Sequence, residues 1–357
     1  MTPNHRMALT TLAGFFGAAL TLGQTAEPRT TWTIAVDCDA GQSVSEALAQ
    51  TAPVLTVQIT GLCQEAVEIR RDNVRLMGSD PRRDGIGVPP GSESESALTL
   101  RSAANISIEG LRLADATRQG LRVLDSTERI EVRNVLLEGN GLWGVAIEDS
   151  SLTLSDTIIT GNGALAVEVL GGGLIAARNS EVLCRRCSIE QNPAAGVNLG
   201  AVAFSGSTLR LEDSRVEAST ALLSQSHARA VAERTELSGA VWAFQANIYG
   251  TVRISDAPFS GPFLATGYST VELLGATQVL NTLQNFVADS STLIAERLPE
   301  SQADTALSGL TLVADNSTGR LDAGSAIEEL VCGLGGDVSC FANSLLVNAR
   351  GCDSCSR

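Results

Sequence analysis

The 357-residue sequence contains no lysine; all 25 of its basic residues are arginine. A lysine Schiff base and a lysine general base are thereby excluded. Histidine is nearly absent as well. Only His5 and His227 occur, so imidazole acid–base chemistry in the body of the chain would rest on His227 alone, and a lone histidine is more often a surface or packing residue. Aromatic residues make up 4% of the chain, which weakens any neutral-glycan platform built on ring stacking; Trp143 and Trp242 read as packing or turn residues. Positive charge is in deficit, with a formal net charge of −15. DNA, RNA and anionic lipid need a cationic footprint and are disfavoured as main partners, although a local arginine patch can still hold an anionic sugar. After the first two dozen residues no run is apolar enough to cross a bilayer. Walker, Rossmann, nucleophile-elbow and zinc-protease motifs are missing, and no cofactor is implied.

What is present begins with an export pattern. His5 and Arg6 precede an apolar run from Ala8 to Leu22, followed by small residues from Gly23 to Ala26. This reads as a signal peptide over residues 1–26 and places the mature protein in the periplasm or outside the cell; a disordered or membrane-anchoring N-terminus is the alternative. Eight cysteines in an exported chain read as disulfides. The simplest pairing joins neighbours along the chain: Cys38 with Cys63, Cys184 with Cys187, Cys332 with Cys340, and Cys352 with Cys355. Zinc bound by the last four thiols is the competing reading, and the expectation is that no metal is bound.

Between about residues 104 and 298 one short phrase recurs, as in NISIEGLRL, RIEVRNVLL, SLTLSDTII, TLRLEDSRV and TVRISDAPF. Its first inward position falls at Ile106, Ile130, Leu152, Val182, Leu209, Ala230, Val252, Val271 and Leu293, in steps of 19 to 30 residues. That is a solenoid period. Each unit is too short to bury an apolar face alone, and the period-two alternation says that the stacked element is a β-strand. A second strand is expected after a turn in each coil. Asn140, Asn162 and Asn192 occupy equivalent turns, followed four residues later by Gly144, Ala166 and Gly196, so the three asparagines should form an internal ladder. Ahead of the repeats, TWTIAVDC, LTVQITG, AVEIRR and NVRLMG are strand patterns. GQSVSEALAQ offers Ser43 as the N-cap of a capping helix with Glu46 three residues on. The Gly/Pro/Ser-rich stretch 78–96 reads as a loop.

The N-terminal pattern VDC, GQSVSEAL, ITGLC and VRLMG, followed by N-x-x-x-G repeats, resembles exported bacterial right-handed parallel β-helix proteins of the pectin lyase-like superfamily. The resemblance implies an all-β fold: a right-handed parallel β-helix with an N-terminal helical and strand cap and a disulfide-rich C-terminal cap. The corresponding organisation is residues 27–97 for the N-terminal cap and first coils, 98–322 for the β-helix repeats, and 323–357 for the Cys-rich C-terminal cap. The family's enzymes imply an anionic polysaccharide bound across one outer sheet. The clustered aspartates of its calcium-dependent lyases and the GHG and RIK-like segments of its polygalacturonases are missing here.

Reading outward positions coil by coil gives a first column of Ser107, Glu131, Thr153, Leu183, Arg210, Val231, Arg253 and Glu272. A second column runs Glu109, Arg133, Ser155, Arg185, Glu212, Glu233, Ser255 and Leu274. Glu212 and Glu233 should be neighbours, either as a catalytic acid and base or as part of an exposed ion-pair lattice whose arginines keep both charged. One residue further, Asn134, Asp156, Arg186, Asp213, Arg234 and Asp256 alternate in sign from Asp156 onward and should lock coil register. Longer steps suggest loops at 170–181 and 200–207 that wall the charged sheet. The expectation is an exported protein that binds an extracellular or cell-surface polysaccharide through Arg133, Arg185, Arg210 and Arg253, without catalysis. A uronate-directed lyase or hydrolase using Glu212 and Glu233 is the first alternative, and a structural or adhesive rod is the second.

Overall fold

The computed structural model describes residues 31–357 except 90, 93–94, 165–169, 191–197, 280–283, 297–305, 314–315, 322–325, 334–335, 341–344, 351 and 353–357. The expected signal peptide, Ala166, Asn192, Gly196 and Cys355 lie outside the described residues.

Fourteen strands, from Thr31–Asp37 to Asp337–Cys340, stack in chain order into one long parallel sheet. Its register follows the apolar anchors. Ile106 pairs with Ile130, and the pairing passes through Leu152, Val182, Leu209, Ala230, Val252 and Val271 to Leu293. All nine anchors are at most 3% exposed. Burying one such aliphatic side chain is worth about 1.5–3 kcal/mol, and only the neighbouring coils supply the burial. The column extends back to Val74 and Leu55 and forward to Gly319 and Val338. Gly319 has no side chain, and a Val338 methyl lies 3.0 Å from where its Cβ would sit. The missing volume is thus filled from the next coil.

Some coils carry two further strands rather than the single second strand expected, whereas others keep one long strand, as Arg215–Gln225 and Glu236–Asn247 do. Ile130–Arg133 is followed by Leu136–Glu138 and then Trp143–Glu148, with Asn140 in the turn that divides the last two. The asparagine ladder forms there. Asn140 donates its backbone N–H and its side-chain Nδ2 to Asn162 Oδ1 at 3.0 and 2.8 Å, and Asn140 Oδ1 accepts from Ala116 N at 3.1 Å. A serine ladder, which the sequence analysis did not identify, runs at the corner leading into the long sheet. The backbone N–H groups of Ser126, Ser150 and Ser180 donate to the hydroxyls of Ser150, Ser180 and Ser207, each one coil on. Ser269, Ser291 and Ser317 repeat the arrangement. Buried turns need such partners because their amides have no ladder of their own.

The stretch 78–96 contributes a short strand, Gly85–Gly87, instead of remaining loop throughout. A Cβ at Gly85 would lie 2.2 Å from Arg112 O, so only glycine lets these coils approach. The segments expected as loop walls are likewise strands: Gly171–Ala177 and Asn198–Phe204 are mostly buried within the solenoid. Their apolar composition is what coil stacking requires.

At the N-terminal end the helix Val44–Leu48 buries Val44, Ala47 and Leu48, and Ser43 Oγ accepts from Glu46 N as expected. The Glu65 carboxylate adds what the capping box did not foresee, accepting from Val44 N, Ser45 N and both serine hydroxyls. Cys38 and Cys63 are bridged beside it. Asp84, 1% exposed, accepts from Gly61 N, Ser79 N, Ser79 Oγ and Asp80 N at 2.7–3.2 Å.

Cys184 and Cys187 are bridged across the corner after the strand Glu181–Arg185. At the C-terminal end the expected pairs Cys332–Cys340 and Cys352–Cys355 are overturned, because Cys332 is bonded to Cys352 with Cα atoms 5.1 Å apart. Coil register decides this. Val331 pairs with Arg350, which brings residue 352 beside Cys332, whereas Cys340 pairs with Leu321 in the other sheet. The bridge also takes two of the four thiols that a zinc site would need.

Candidate functional site

Alternate residues of the long sheet, those between and after its inward apolar positions, point outward, and the pairing sets them in the two expected columns. Leu183 pairs with Arg210, Arg210 with Val231, and Val231 with Arg253; Arg185 pairs with Glu212, and Glu212 with Glu233. Strand spacing therefore holds the two glutamates one coil apart, at about 4.8 Å along the axis. Arginines fill the space between them. Arg185 Nε meets Glu212 Oε2 at 2.8 Å and Arg210 Nε meets Glu212 Oε1 at 2.6 Å, while Arg210 Nη2 reaches Glu233 Oε2 at 2.8 Å. Arg234 closes on the other oxygen of Glu233. The Glu212 side chain is only 12% exposed beneath half-exposed arginines. It is therefore more enclosed than an exposed ion-pair lattice would make it.

The next column along lies in a turn, because the strands stop one residue earlier, at Arg133, Ser155, Arg185, Glu212, Glu233 and Ser255. Asn134, Asp156, Arg186, Asp213, Arg234 and Asp256 all have φ between 48° and 52°, in the left-handed region. Their charges pair two by two. Arg186 grips Asp156 through Nε and Nη2 at 2.6 and 2.9 Å, and Arg234 grips Asp213 at 2.6 and 3.1 Å. Asp256 instead accepts from Ala276 N at 2.9 Å.

These contacts set the protonation states. Hydrogen bonding from Arg186 holds Asp156 below the ordinary carboxylate range, and Arg234 does the same for Asp213. Glu233 is also lowered: the bond from Arg234 outweighs partial burial, which pushes the other way, and Arg210 adds to the effect. A carboxyl held in its charged form is a poor general acid near neutral pH.

Arg185, Arg210, Arg253, Glu212 and Glu233 line one open depression of about 580 Å³ together with Arg229, Leu183 and Val231. Arg133 is not part of it; it lines a separate hollow with Arg75, Glu109 and Glu131. Arg253 approaches Glu272 at 3.8 Å. Arg229 stands immediately before its anchor, Ala230, in a third outward column beside the two expected from the sequence. Strand alternation was the signal that could have found it. It makes no ion pair among the described residues, and its side chain stands exposed at the rim. Trp143 is buried and Trp242 packs edge-on against Phe286, in keeping with packing roles. No group of three or more His, Cys, Asp or Glu side chains among the described residues could hold a metal ion. No helix among them is long and apolar enough to cross a membrane.

Residues 96–240 match the family model described as "Right handed beta helix region". No curated protein matches the chain. Among solved structures, the chain is similar to a pectin methylesterase from Erwinia chrysanthemi at 15% identity, over 65% of this chain and 80% of that one, with a TM-score of 0.43. A mannuronan C-5 epimerase A-module from Azotobacter vinelandii is 13% identical over 88% and 90% of the two chains, with a TM-score of 0.35. Tailspike protein 2 of the Escherichia coli O157:H7 bacteriophage CAB120 is 8% identical over 80% of this chain and 38% of its own, with a TM-score of 0.44. The chain is thus a parallel β-solenoid that carries a right-handed β-helix region.

Proposed function

We propose that the arginine-lined face of the long sheet binds an extended anionic polysaccharide, such as a uronate polymer, without cleaving it. One observation carries the reading: both candidate catalytic carboxylates are engaged by two arginines each, Glu212 by Arg185 and Arg210, and Glu233 by Arg210 and Arg234. They serve to position guanidinium groups. Each guanidinium has five N–H donors, so Arg185 and Arg210 keep donors for a ligand after meeting the glutamates, and Arg229 and Arg253 extend the row. A glycan carrying repeated carboxylates meets these donors at coil spacing.

In this reading residues 1–26 are an export signal, 27–97 the N-terminal cap and first coils, 98–322 the repeats and 323–357 the C-terminal cap. Three disulfides support an oxidising destination, periplasmic or extracellular.

The test is retention on immobilised polygalacturonate and alginate, with the soluble polymers followed at 235 nm for elimination and by reducing ends for hydrolysis. Retention should fall with salt, and Arg229→Ala should weaken it about three- to tenfold, since the variant removes a ligand donor and breaks no ion pair. Turnover abolished by Glu212→Gln or Glu233→Gln would establish the lyase or hydrolase alternative. Neither retention nor turnover would leave a structural rod.

A further inference from the structure

The chain has two tyrosines, Tyr249 and Tyr268, and one histidine beyond its N-terminal segment, His227. The fold gathers all three into a single stack. Each stands three residues before an anchor, Ala230, Val252 or Val271, and these anchors pair in register from coil to coil. The rings of His227 and Tyr249 lie 4.7 Å apart at 15°, and those of Tyr249 and Tyr268 lie 5.4 Å apart at 13°. All three residues hold φ of 61° or 62°, the left-handed corner conformation that Asp149, Asn179, Ser290 and Asn316 share at the equivalent position of other coils, and one that bulky L-residues rarely occupy. The stack is also left in water, with Tyr249 and Tyr268 exposed by 50% and 62%. A structural ladder would gain more by burying its rings.

The stack stops abruptly. At the next two equivalent positions stand Ser290 and Asn316, also with positive φ, so the outer face of Tyr268 has no ring opposite it. The short side chain of Ser290 stands between Tyr268 and Asn316, which the register sets two coil steps, about 10 Å, apart, and this drop in size leaves a recess beside the Tyr268 ring. Beside it the outward column before the anchors becomes all threonine: Thr251, Thr270, Thr292 and Thr318, the last two joined through their hydroxyls at 3.2 Å. At the other end of the stack, His227 leads through Ala228 into Arg229 of the arginine depression.

We propose that this recess is a neutral-sugar subsite: a pyranose ring stacks its C–H face on Tyr268, and its hydroxyls bond to Ser290, Thr292 and Asn316. The inference rests on the reading that the neighbouring face binds a glycan, and it specifies that glycan further as a polymer with both anionic and neutral residues. An aromatic face and uncharged hydroxyls suit a neutral sugar, whereas none of Tyr268, Ser290, Thr292 and Asn316 offers a positive charge to a carboxylate.

The experiment uses the full exported chain and labelled hexasaccharides of β-linked glucose, mannose and galactose, with hexagalacturonate as the anionic probe. Two variants act in opposite ways on the recess. Tyr268→Ala removes the stacking face, and Ser290→Tyr fills the recess with the next ring of the ladder, at a φ that tyrosine already accepts twice in this chain. At least one neutral hexasaccharide should bind the wild type. Both variants should weaken it about tenfold or more, with unchanged circular dichroism, while Arg229→Ala leaves it intact. Failure of every neutral probe to bind, or binding untouched by both variants, would overturn the subsite. Loss of hexagalacturonate binding in Arg229→Ala reports separately on the arginine face, so the two readings stand or fall apart.

Discussion

Replacing Asp84 with alanine should loosen the first coils by about 1–4 kcal/mol at neutral pH. The figure follows from the four bonds that its carboxylate accepts. The bond from Gly61 N is buried, and leaving that donor without a partner costs about 1–3 kcal/mol. The Ser79 and Asp80 amides are only partly buried, so water can replace the carboxylate there at about 0.5 kcal/mol or less each. Asp84→Asn keeps one accepting oxygen and turns an N–H pair toward the other donors, so it should cost less, about 1–2 kcal/mol. Burial alone would raise the Asp84 pKa, but the bonds from Gly61, Ser79 and Asp80 together outweigh it and the pKa is lowered. A lowered folded pKa gives stability that is fully present above the unfolded value near 3.9 and is lost as pH falls through the folded value. The gap between wild type and Asp84→Ala should therefore narrow below about pH 4. Solenoids open locally, so the assay is hydrogen exchange at the Gly61 and Ser79 amides together with urea midpoints at pH 7 and pH 2. Protection at Gly61 unchanged in the alanine variant, or a gap just as wide at pH 2, would refute the reasoning.

The asparagine ladder predicts that Asn162→Ala strands two buried Asn140 donors, the backbone N–H and Nδ2, at a cost of about 2–4 kcal/mol. Its urea midpoint should fall, and a loss below about 0.5 kcal/mol would show that the ladder is decorative. Non-reducing peptide mapping should recover Cys332 linked to Cys352, and a Cys332–Cys340 peptide as the main species would contradict the coil register.

The alternation of apolar and outward residues made the parallel strands, all nine anchors and the contact between Glu212 and Glu233 legible in the sequence. Each follows from a local rule: period-two alternation fixes which way a side chain points, and a recurring anchor fixes which residues meet one coil apart. The Asn140–Asn162 ladder was legible for the same reason. What the sequence did not determine depends on where the chain turns between strands. It placed Asp156, Arg186, Asp213 and Arg234 on the sheet face, while the structure puts them in left-handed turns and pairs them two by two. It joined Cys332 to its neighbour in sequence, but partnership depends on which sheet each strand enters, and only the stacked coils bring Cys352 alongside. It read segments 170–181 and 200–207 as walls because extra length looks like loop, although the strands absorb their apolar residues. Scarcity of aromatics spoke against ring stacking, yet His227, Tyr249 and Tyr268 are 22 and 19 residues apart in sequence and become a continuous stack once each coil closes. Sequence sets the direction of each side chain within a strand; coil length and corner geometry, which are properties of the closed turn, decide which distant residues share a surface.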